Sequence, residues 1–155
     1  MKKNFSVFLV FFVFLLVQGY LVYGNSLDKR NLIDVEIIHY LLSNRIKAMN
    51  RGLYTDEAMD DIIADLEKIE RGQLLQEDII SLKDAKLNPT DYPMVIGLNT
   101  LKIDSISNKD NIYILNAEIQ WDILEDSEFM ESIRYLIEVE HLEGKFYLIS
   151  LVPIQ

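Results

Sequence analysis

The sequence of 155 residues contains no cysteine, three prolines, six glycines and two histidines. Without cysteine there is no disulfide framework, no thiolate nucleophile, no cysteine zinc site and no lipid-bearing cysteine behind an N-terminal leader. The scattered glycines form neither a P-loop, nor a dinucleotide-binding pattern, nor a Gly-x-Ser-x-Gly elbow, so phosphate cradles and hydrolase nucleophiles are not expected. Acidic residues are missing from the start of the chain: all 25 lie at or beyond Asp28. A formal net charge of −10 excludes a protein held to phosphates by positive charge, and nucleic acid is not an expected partner. With half of its residues apolar, the chain is also not intrinsically disordered.

The apolar residues crowd first into Phe5 to Tyr23, a run interrupted only by Ser6, Gln18 and Gly19 and free of charge. As a helix it spans roughly 28 Å, close to the hydrocarbon thickness of a bilayer. Lys2 and Lys3 precede it, and Tyr20 and Tyr23 stand at its far end, where aromatic rings favour the interface. Residues 1–27 are therefore expected to be a single-pass anchor in membrane lipid, N-terminus cytoplasmic and the remainder extracytoplasmic. A signal peptide cut after Gly24, giving a secreted product, is the alternative, although the run is long for one and lacks an Ala-x-Ala end.

Residues 28–155 are expected to form one α+β domain. Val35, Ile38, Leu42, Ile46 and Met49, with Leu41 beside them, mark a helix over about 32–50 that Arg51-Gly52 closes. A second helix, about 55–71, starts from a Thr55 or Asp56 cap, buries Met59, Ile62, Ile63, Leu66 and Ile69, and stops at Arg71-Gly72. A third covers about 75–86 before Pro89 and Pro93. Beyond Pro93 the period changes to two, predicting strands at about 94–103, 112–124, 129–142 and 145–152. Tyr113, Leu115, Ala117, Ile119, Trp121 and Ile123 share one face of the second strand, and Glu143-Gly144 makes a two-residue hairpin turn. The fold class is thus an N-terminal transmembrane helix, then two or three helices packed on one face of a four-stranded antiparallel sheet.

Unbroken alternation after that turn places Phe146, Leu148, Ser150 and Val152 on the core face. It leaves Leu136, Tyr147, Ile149 and Leu151 as an outer stripe among acids, a candidate surface for a second copy or another protein. A bulge that reverses the register is the alternative.

Paired N-terminal helices, four strands, Trp121 in the long strand and the terminal hairpin Gly144-Lys145-Phe146-Tyr147-Leu148-Ile149 resemble the nuclear-transport-factor-like, cystatin-like superfamily over residues 32–155. That resemblance implies a curved sheet and a helix cone with an internal pocket, in a superfamily with some isomerases and many noncatalytic binding or assembly modules. It also implies a short strand between the second and third helices, with room for it near Gln73 to Gln76.

Tyr113, Trp121 and Tyr135 are the candidate pocket residues, since their polar atoms can meet a ligand inside such a cone. An isomerase would need an inward acid beside them, and the inward positions read as almost wholly apolar. His39 and His141 sit in separate elements without a third ligand, and neither acidic cluster, Asp56 to Asp61 or Glu125 to Glu131, has calcium-loop spacing. No cofactor, metal or catalytic residue is expected, and the chain reads as a noncatalytic, membrane-tethered binding or assembly module. A lipid- or small-molecule-binding cone is one alternative. A pilin-like or secretion-apparatus subunit is another, although Asn4 stands where a pilin leader has Gly before Phe5, and Leu9 and Val10 where it has an acid. Twenty Ile against five Ala suggest a low-GC bacterial source.

Overall fold

The computed structural model describes residues 33–88, 93–125 and 127–154. The expected anchor, Phe5 to Tyr23, and the alternative cut at Gly24 lie outside these residues. Among the described residues no helix is long and apolar enough to cross a membrane.

Among the described residues three helices, α1 (Val35–Tyr54), α2 (Met59–Leu66) and α3 (Gly72–Leu87), precede four strands, β1 (Met94–Lys109), β2 (Ile112–Leu124), β3 (Glu128–Leu142) and β4 (Lys145–Ile154). The strands form one antiparallel sheet in the order β1-β2-β3-β4. Its concave face carries the alternating row Tyr113, Leu115, Ala117, Ile119, Trp121 and Ile123, all buried. Ile38, Leu41 and Leu42 of α1, Ile62 and Leu66 of α2 and Leu82 of α3 are equally buried, each contributing about 1.5–3 kcal/mol of hydrophobic stabilisation.

Several element ends differ from the sequence reading for identifiable reasons. Gly52 does not stop α1, which runs on to Tyr54. A Cβ there would lie 2.6 Å from Leu82 Cδ2, so the missing side chain lets α3 approach α1. Gly72, with φ at +63°, begins α3 instead of ending α2, which stops at Leu66. Ala58 is the residue before α2; Thr55 Oγ1 instead bonds back to the carbonyl of Arg51. β1 runs past residue 103 to Lys109, because Asp110 and Asn111 both take positive φ and make a two-residue turn between Lys109 and Ile112. Three register shifts in β1 bend this edge and curve the sheet.

The short segment expected between the second and third helices lies at Glu70, not near Gln73. Glu70 forms a parallel bridge with Leu148, through Leu148 N–H to Ile69 O at 2.8 Å and Arg71 N–H to Leu148 O at 2.9 Å. β4 also contains a bulge. Val139 pairs with Leu148 but Glu138 pairs with Ser150, so Ile149 is the extra residue. The expected register is reversed beyond it: Leu151 opposes Ile137 on the concave side, and Val152 opposes Leu136 on the convex side, where it is exposed.

Candidate functional site

Between α1 and the concave sheet lies a cleft of about 320 Å³. Ile46, Met49 and Leu53 form one wall because they follow the buried stripe of α1 at helical spacing; Trp121, Ile133 and Leu151 come from the facing strands. Of the candidate pocket residues, Trp121 and Tyr135 line this cleft. Trp121 Nε1 donates to Tyr135 Oη at 3.1 Å, and the rings meet edge to face with centroids 5.9 Å apart. A hydroxyl that accepts this bond still has its own proton to donate. Burial raises the Tyr135 pKa, more than the indole bond lowers it, so the hydroxyl stays a donor. Tyr113 is elsewhere: it is buried and meets Phe146 edge on at 6.1 Å.

The expected lack of an inward acid does not hold. Glu131 opposes Trp121 in the sheet and lines the cleft, although it is exposed. Behind the cleft is a charged cluster that the sequence reading missed. Arg45, on the buried stripe of α1, donates from Nε and Nη2 to both carboxylate oxygens of Asp78, each at 2.7 Å. Asp78 occupies the stripe of α3 formed by Leu74, Leu82 and Ala85. Opposite charges at core positions of two helices were the available signal, but the residues are 33 positions apart and their meeting is a tertiary fact.

Glu70 completes the cluster. Arg45 Nε lies 3.0 Å from Glu70 Oε1, yet Nε–H points at Asp78, and neither Glu70 oxygen has a directed hydrogen bond. Glu70 is fully buried. Burial, and then the neighbouring Asp78 charge, raise its pKa to about 8, Arg45 opposing this only in part. Arg45 itself is opposed by burial but held cationic by Asp78 and then Glu70, its pKa raised overall. One guanidinium is therefore shared by two carboxyl groups, of which Glu70 holds a proton at neutral pH.

Of the expected outer stripe, Leu151 faces the cleft, and Tyr147 is buried beneath the Arg71 guanidinium, 4.0 Å above its ring. Leu136 and Ile149 are half-buried. His141 stacks on Phe146 at 4.5 Å, and His39 lines a separate groove beside β1. Among the described residues no three His, Asp or Glu side chains are grouped to hold a metal.

No protein-family model and no curated protein matches the chain. Among solved structures it is similar to the intermembrane-space region of the chloroplast protein ARC6, at 12% identity and a TM-score of 0.46 over 79% of this chain and 98% of that one. An NTF-2-like protein of unknown function from Shewanella oneidensis gives 14% identity and 0.44, over 76% and 96%. A protein of unknown function from Bacteroides thetaiotaomicron gives 14% and 0.39, over 88% and 99%.

Proposed function

We propose that this chain is a noncatalytic binding module with a nuclear-transport-factor-like cone, tethered on the extracytoplasmic side of a membrane by its N-terminal apolar run. The observation that carries the reading is the cleft. Its walls are mostly apolar, and its polar groups other than the exposed Glu131 are engaged: Arg45 with Asp78, Trp121 with Tyr135, and Asn50 with the Val95 carbonyl. Such a site suits an apolar ligand with one hydrogen-bond acceptor, placed against the Tyr135 hydroxyl. Proton chemistry would call for a carboxylate poised over that ligand. Asp78 is tied to Arg45, and Glu131 is exposed to solvent, which favours binding over turnover.

Titration with the uncharged apolar dye N-phenylnaphthylamine tests this. Saturable quenching of Trp121, the only tryptophan, is expected, weakened in Met49→Phe, whose larger ring narrows the cleft. Unchanged Trp121 emission at dye saturation would count against a ligand cleft. For the tether, a full-length product retained in alkali-washed membranes is expected, and a shortened soluble one would refute it.

A further inference from the structure

We propose that the groove beside β4 is a second binding site, which docks an extended, cationic segment of a partner protein by strand addition. The groove, about 550 Å³, lies between the start of α3 and the outer side of β3 and β4. Its apolar floor includes Ile149 and Val152, and its carboxylates are Glu77, Glu138 and Glu140.

The chain already uses this edge in the same way. Residues Ile69 to Arg71 lie parallel to β4 and clamp Leu148 with two backbone hydrogen bonds. Gly72 then takes φ at +63° and turns the chain into α3, leaving the edge after one bridge. From Ile149 to Val152, before Pro153, β4 has no strand on its outer side among the described residues. An edge left open in this way offers backbone groups to an incoming extended segment. The opposite edge, β1, is broken by three register shifts and is the poorer template.

Charge selects the occupant. Glu138 and Glu140 are neighbours on the convex face of β3 and belong to none of the ion pairs found among the described residues. Glu77 accepts a bond from Gln73, while Arg71, the one cation lining the groove among the described residues, is laid over Tyr147. A second copy of this acidic chain would bring the same carboxylates together, whereas Lys or Arg side chains at alternate positions of an added strand, on its convex side, would meet them.

The test uses the full chain and three short fluorescent peptides: Lys alternating with Val, Glu alternating with Val, and the Lys peptide with alternate backbone amides methylated. Saturable binding of the first peptide alone is expected, with slowed amide exchange within residues 149–152. Glu138→Gln together with Glu140→Gln, near-isosteric changes whose folding circular dichroism verifies, should weaken it on the order of tenfold. Equal binding of the Glu peptide, indifference to the double change, or undiminished binding of the methylated peptide would overturn the proposal. So would exchange protection confined to the α1 wall of the cleft, or pairing of two chains through β4 in the absence of peptide.

Discussion

Glu70 carries the sharpest consequence for a single residue. Its folded pKa, about 8, stands above the ordinary value of 4.5, so between these limits the folded state holds a proton that the unfolded state has released. Its contribution to stability is therefore complete below pH 4.5 and is lost as pH rises to about 8, at up to about 1.4 kcal/mol per pH unit. The charged groups around it are Arg45 from α1 and Asp78 from α3, with Tyr135 of β3 acting on Arg45. Glu70→Gln keeps the shape and cannot ionise. Urea unfolding between pH 5 and 8 should show a flatter profile for this variant, and a slope equal to that of the native chain would refute the assignment. Nothing in the local sequence marks Glu70, which follows the buried Ile69 at the end of a charged segment. Its burial arises because the strand bridge to Leu148 draws it beneath Arg45.

At the level of elements, the contact of α1 with α3 depends on an absent side chain. A residue at 52 would meet Leu82, which is fully buried and has little room to move. Gly52→Leu should destabilise the domain by roughly 2–3 kcal/mol in chemical denaturation despite its better helix propensity. Loss of under 0.5 kcal/mol would show that Leu82 yields. Glycine after arginine occurs at both Gly52 and Gly72, and as local chemistry both pairs read as helix ends. One proved to be a packing site and the other a helix start, because the use of a glycine depends on what lies opposite it. The hairpin turn at Glu143-Gly144, by contrast, was legible from its two residues, both at positive φ.

Across the whole molecule, a net charge of −10 makes the folded state repel itself. Raising sodium chloride from about 0.01 to 0.5 M shortens the screening length several-fold and should raise the thermal midpoint by a few degrees. A midpoint that falls would instead mean that ion pairs such as Arg51 with Asp65, which links α1 to α2, outweigh the repulsion. The α+β plan, the alternating row from Tyr113 to Ile123 and the acidic surface were legible residue by residue, since periodicity and charge are local properties. Tertiary structure decided the bulge at Ile149 that turns Leu151 into the cleft, the meeting of Arg45 with Asp78 and Glu70, and the groove beside β4. Each depends on which surface arrives opposite, and no spacing along one strand or helix contains that information.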